Sequence, residues 1–127
     1  YIQKLLSFEP NEPYYWRRYA ELNYFELGNI DEAEYGYRRA VQNGDYSYAT
    51  LIEWIDLMLL TEKYQDALPI ISDVVFIYPT ELDNYYRIAL TYYGLGDEAN
   101  AEKYYQLGVA KAPQWQSFFE SKFNFKM

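Results

Sequence analysis

The chain has no cysteine and no histidine in its 127 residues. Disulfides, thiol nucleophiles, imidazole bases and His/Cys metal sites are excluded together. An oxidising compartment permits disulfides without requiring them, so a cytoplasmic location is the default expectation and a periplasmic one fits as well. Long apolar runs are also missing. No stretch approaches the roughly 18 residues of a membrane-spanning helix, and the nearest, Ile70 to Tyr78, is broken by Ser72 and Asp73. Basic residues are scarce, with 11 Lys and Arg against 19 Asp and Glu and a net charge of −8, which argues against a nucleic-acid binder. What is abundant is apolar and aromatic. Half the residues are apolar, enough for a core, and 17 are Tyr.

The organisation emerges from comparing the chain with itself. Ala33, Ala67 and Ala101 stand 34 residues apart. The same offset links Tyr24, Met58 and Tyr92, then Tyr37, Ile71 and Tyr105, then Ala40, Val74 and Gly108. Gly28, Glu62 and Gly96 make a fifth column; Asp45, Pro79 and Pro113 make a sixth. Such agreement in one register is not accidental.

Within each unit the apolar spacing is helical. Leu51, Trp54, Ile55, Met58 and Leu59 advance by threes and fours, as do Tyr85, Ile88, Ala89 and Tyr92. A short polar break follows each stripe, with Gly or Glu62 where a left-handed residue would close the helix. If Glu62 is left-handed, the strain is about 1 kcal/mol. Asp31, Asp66 and Asp97 then stand where a second helix begins, suited to its free N–H groups and dipole. These signals predict helices over 14–27, 31–43, 48–60, 64–77, 82–94, 98–111 and 115–125. Pro69 falls inside the fourth, which should start late, near Asp66, or be kinked. Ala33, Ala67 and Ala101 would let the second helix of each unit approach the first.

The chain resembles the tetratricopeptide repeats. The match is carried by Tyr85, Ile88-Ala89, Tyr92, Leu95-Gly96, Ala101, Tyr105, Gly108 and Pro113 in the third unit. Trp54, Tyr64, Ala67-Leu68, Val74-Val75 and Pro79 carry it in the second, and Tyr24, Leu27-Gly28, Ala33, Tyr37 and Ala40-Val41 in the first. The first unit departs in two ways: Asp45 replaces Pro, and Trp16 sits one residue early. The resemblance implies an all-α fold, an α–α superhelix of three tandem helix-turn-helix units at 14–47, 48–81 and 82–115. Residues 1–13 read as the tail of a preceding unit and 116–127 as a capping or next-repeat helix, all within one domain. Because the chain opens Tyr1-Ile2-Gln3 without Met and ends in Phe-rich sequence, it reads as a fragment of a longer array.

Tyr24, Tyr37, Tyr64, Tyr92 and Tyr105 fall at interhelix packing places in this scheme. Adjacent Tyr pairs cannot both face the core, so the second ring of each is a candidate for the surface or the next unit. The resemblance implies an inner groove lined by Tyr15, Arg18, Tyr19, Leu22 and Phe25 from the first unit. Ala49, Ile52, Glu53, Asp56 and Leu59 would follow from the second, and Asp83, Tyr86, Arg87, Leu90 and Tyr93 from the third. Aromatics with Arg are favoured at protein interfaces. The expected function is non-catalytic: protein–protein interaction or scaffolding, with a peptide or protein partner held in that groove. The family's carboxylate clamp is not expected, because Leu22 and Glu53 stand in its Asn places and Asp83 in a Lys place, beside Arg18 and Arg87. An acid there would repel the bound carboxylate.

Two other readings compete. Phe118, Phe119 and Phe123 could serve self-association or docking within the chain, and the aromatic faces could stack on carbohydrate. An enzyme is not expected: no phosphate-cradling Gly loop or nucleophile motif is present, and acid pairs such as Asp31-Glu32 open helices. No EF-hand-like Ca²⁺ loop, cofactor motif or basic nucleic-acid groove appears either.

Overall fold

The computed structural model describes residues 13–125. The expectation of a preceding unit's tail falls, Pro13 apart, outside the described residues. The fold is all-α. Its helices are α1 (Pro13–Glu21), α2 (Ile30–Gln42), α3 (Tyr48–Leu60), α4 (Tyr64–Ile77), α5 (Asn84–Gly94), α6 (Glu98–Lys111) and α7 (Gln116–Lys122). A π-helix, Leu22–Leu27, continues α1, and a 3₁₀ turn, Pro113–Trp115, leads into α7. Within each compact unit neighbouring helices pack in succession, α1 on α2 and then α4 on α5 and α5 on α6, a helical repeat arrangement. No helix among the described residues is long and apolar enough to cross a membrane. The chain divides into two compact units, one ending at Leu57 and the other beginning at Met58, so the division falls inside α3.

In the first unit α1 packs on α2 through small residues. Ala20, Ala33 and Ala40 have no exposed surface. The approach is closest at Gly36, where an added Cβ would lie 2.9 Å from the Ala20 Cβ and 3.0 Å from its backbone nitrogen. Trp16, Tyr19 and Ala40 form a buried cluster with Tyr15 against it. At the start of α3, Asp45 accepts from the Thr50 hydroxyl (2.7 Å) and from the Ser47 amide (3.1 Å). These bonds outweigh the effect of burial and hold the Asp45 carboxyl below its ordinary value.

The expected helix over 14–27 is not uniform. Its last six residues are wound as a π-helix, closed by Gly28 with φ +68°. The early position of Trp16 has its physical explanation here. Tyr19, Trp54 and Ile88 are all buried, as are Ala20, Ile55 and Ala89; the first member of each set stands 35 residues before the second. Gly28, Glu62 and Gly96 are all left-handed, at φ +68°, +60° and +82°, and keep the spacing of 34. Ala20 thus lies eight residues before Gly28, where Ile55 and Ala89 lie seven before Glu62 and Gly96, and the π-helix Leu22–Leu27 falls within that longer span.

In the second unit α5 packs against both α4 and α6. Ala67, Ile71, Ala89 and Ala101 are fully buried, with Val74 nearly so. α4 begins at Tyr64 and continues through Pro69 without a late start. Hydrophobic burial of its inner face holds the turn that Pro69 weakens. Asp97 caps α6, its carboxylate accepting from the Asn100 amide at 3.2 Å. Asp31 and Asp66 instead lie in the first turns of α2 and α4, behind Asn29 and Lys63 at the cap positions.

Two substitutions check these contacts. Glu62→Gly, which relieves the left-handed strain, should stabilise the protein by about 1 kcal/mol in denaturant unfolding. Gly36→Ala should destabilise it by about 1–3 kcal/mol, because Ala20 meets the new methyl with backbone as well as side chain. An unchanged midpoint for the latter would refute the close approach.

Candidate protein-binding surfaces

In the first unit, the turns of α1, α2 and α3 bring together a network that the candidate groove residues only partly anticipated. Tyr37, fully buried on α2, donates its hydroxyl proton to Glu53 Oε1 at 2.8 Å. Arg17 reaches the other Glu53 oxygen at 3.3 Å and Glu21 also at 3.3 Å. Two carboxylates thus share one guanidinium. Burial, with the like charge of Glu21, raises the Glu53 pKa against the opposing pull of the Tyr37 hydroxyl and Arg17. Burial and the bond to Glu53 keep the Tyr37 phenol protonated far above its ordinary range. Burial opposes the charge on Arg17, but Glu53 and Glu21 outweigh it and raise its pKa.

The other expected groove residues of this unit separate. Tyr19 is buried, its hydroxyl donating to Glu32, because the π-helix shifts the phase of α1 by one residue. Tyr15, Leu22 and Ile52 are half-buried, and Asp56 is buried. Arg18 is exposed and pairs with Glu21 at 3.0 Å. Phe25 is exposed and stacks on Tyr24, ring centroids 4.6 Å apart. Arg17 is the residue the sequence reading missed. The early Trp16 was the available signal, since moving α1 by one position exchanges Arg17 for Arg18 at the α3 contact.

In the second unit α7 covers the face expected to be open. Tyr86 is buried, stacks on Phe119 at 5.3 Å and donates to the Ala112 carbonyl at 2.9 Å. The Arg87 guanidinium lies 4.9 Å from the centre of the Phe119 ring and bonds Asp83 at 2.8 Å and Asn84 at 2.9 Å. Tyr105 donates to Glu120 and accepts from the Gln116 amide at 2.9 Å. Its pKa is pushed up to about 12 by burial and by the bond to Glu120. After Asn124, left-handed at φ +49°, the chain turns so that Phe125 packs against Tyr93 and Tyr105. Tyr86, Arg87 and Leu90 are therefore buried rather than displayed, and of the four only Tyr93 remains exposed. The physical reason is local: a Phe-rich helix on an aromatic face buries more apolar area than either would alone.

The open apolar surface of this unit lies elsewhere. Phe76 on α4 is 82% exposed, and Ile77 beside it 61%. With Val75, Pro79, Ile88, Tyr92 and Tyr104, Phe76 lines a shallow cleft of about 410 Å³. The Tyr104 ring lies nearly parallel to Tyr92, centroids 5.8 Å apart, and to Tyr85 at 6.4 Å. Lys103 sits 5.2 Å from the centre of the same ring. Periodicity could not find this cleft, because the positions 34 residues before and after Phe76 are filled by Gln42 and Ala110. At the end of the described chain, Trp115 and Phe118 are exposed and meet edge to face at 5.5 Å. Phe119, expected with them, is buried, and Phe123 is half-buried. No family model and no curated protein matches the chain.

The charge network makes a pH prediction. Glu53 binds its proton more tightly folded than unfolded, so its contribution to stability should rise as pH falls from neutral toward its ordinary value of 4.5, and level off below it. Glu53→Gln retains an acceptor for Tyr37 and removes this titration. The stability of the parent minus that of the variant, from denaturant midpoints, should increase over that interval; a constant difference would refute the raised value.

Proposed function

We propose that the chain is a non-catalytic protein-interaction or scaffold module of the tetratricopeptide-repeat kind. Three 34-residue units in the sequence and the succession of packed helix pairs support the repeat reading. The observation that carries the interaction reading is the cleft around Phe76. A large ring held 82% exposed on a helix, beside a stacked set of Tyr, gains nothing from folding and has apolar area to bury against a partner. The shape of the site suits a protein segment: shallow, aromatic and rimmed by hydroxyls, without a deep enclosure for a small molecule. Its place between α4 and α6 differs from the groove first expected, which α7 occupies in this unit.

Self-association is the second reading, favoured by the exposed Trp115 and Phe118 pair. Sedimentation velocity over a wide concentration range distinguishes it, since this pair would then produce a dimer lost in Phe118→Ser.

For the cleft, a photo-crosslinking residue at Phe76 should yield protein adducts absent when it is placed at exposed Glu102. Phe76→Ser should leave unfolding within about 0.5 kcal/mol of the parent, as an exposed change does. It should cost about 2 kcal/mol, some thirtyfold, in affinity for the partner so identified. Equal adducts at both positions would overturn the assignment.

A further inference from the structure

The π-helix Leu22–Leu27 bears on more than the place of Trp16. The backbone closes each first helix with the same bond. The Lys63 amide donates to the Met58 carbonyl at 2.8 Å, and the Asp97 amide to the Tyr92 carbonyl at 3.0 Å. Its counterpart in the first unit runs from the Asn29 amide to the Asn23 carbonyl at 2.8 Å. Asn23 therefore holds the place of Met58 and Tyr92, yet its loop closes over six residues instead of five. The widened turn is stitched locally. Asn23 Nδ2 donates to the Tyr19 carbonyl at 2.9 Å, and its Oδ1 accepts from the Asn29 side chain at 3.2 Å. A buried polar residue with both ends satisfied thus stands where the other two units bury Met58 and part-bury Tyr92.

We propose that one residue of Tyr24–Leu27 is an insertion that core packing does not use, stored as a π-helix so that both flanks keep their register. On the near side, Trp16, Tyr19 and Ala20 stay in phase with α2. On the far side, Gly28 stays in the left-handed turn. The surplus is absorbed in the exposed arc, where Phe25, Glu26 and Leu27 all face solvent. A single insertion in an α-helix otherwise turns every following side chain by about 100°, and a π turn is the known way to confine it. The element is a conformational device: it keeps Phe25 exposed and stacked on the half-buried Tyr24 while Asn23 takes the buried column. This inference rests on the 34-residue period and is independent of what the module binds.

The consequence is an unusual tolerance. Deleting Glu26, which is exposed, should leave a regular α-helix with Asn23 still buried and Gly28 still at the turn. Its helix content by circular dichroism should match the parent, and its melting temperature should fall no more than about 4 °C below the parent's, or rise. Deleting Asn23 instead moves Tyr24 into the column of Tyr92, and should likewise give a folded chain. A control deletion of Thr91, fully buried in α5 where no residue is spare, should lower the melting temperature by more than about 10 °C or prevent folding. Hydrogen exchange should show the Gly28 amide protected in both the parent and the Glu26 deletion. If the Glu26 deletion destabilises as severely as that of Thr91, the extra residue is part of the packing and the proposal fails.

Discussion

Each helix of this protein has one stripe to bury, and the phase of that stripe must survive every turn that separates it from the next. Small residues set the distance at which neighbouring helices meet. Ala33, Ala67 and Ala101 are fully buried, and where Gly36 faces Ala20 there is no room even for an added methyl. Contacts so close leave no room for a rotated side chain, so the chain corrects its phase rather than its packing. The left-handed residues at Gly28, Glu62 and Gly96 mark the fixed points of that phase. Glu62 accepts backbone strain at such a point, and Leu22–Leu27 accepts an irregular turn to reach one.

Tyrosine does two kinds of work in this arrangement. At Tyr37 and Tyr105 the ring fills the interior while the hydroxyl finds a carboxylate, Glu53 or Glu120, on a following helix. Tyr19 does the same with Glu32. A buried phenol requires a partner, and an acidic chain has carboxylates to supply. The bonds fix one helix against the next more specifically than apolar contact does. Outside these positions the rings stack on one another, as at Tyr85, Tyr104 and Tyr92, and form the surface beside Phe76.

The final helix explains why the open apolar surface is not where repeat logic would put it. Phe119 lies against Tyr86 and Arg87, and Phe125 closes against Tyr93 and Tyr105. An aromatic face that would have been open in an isolated helix pair is consumed by the chain's own continuation. Arg87 shows the same economy. Its charge is met by Asp83, the residue just before its own helix and four earlier in the chain, and its flat face by a ring.

The sequence by itself determined the all-α class, the positions of the helices to within a few residues, and the left-handed turns at Gly28 and Gly96; the structure supplied the left-handed Glu62. These depend on period, on Gly and on capping residues, all of which act over a few neighbours in the chain. It also carried, in the displaced Trp16, the sign of an irregular first helix. Only the tertiary structure decided how that irregularity was absorbed, that Arg17 and not Arg18 meets Glu53, and that Tyr86 and Leu90 are covered while Phe76 is bare. Those outcomes turn on which apolar faces find each other, and whether a given face is buried depends on every element packed against it. A local pattern specifies that a stripe must be buried; the neighbour that buries it is chosen by the whole fold.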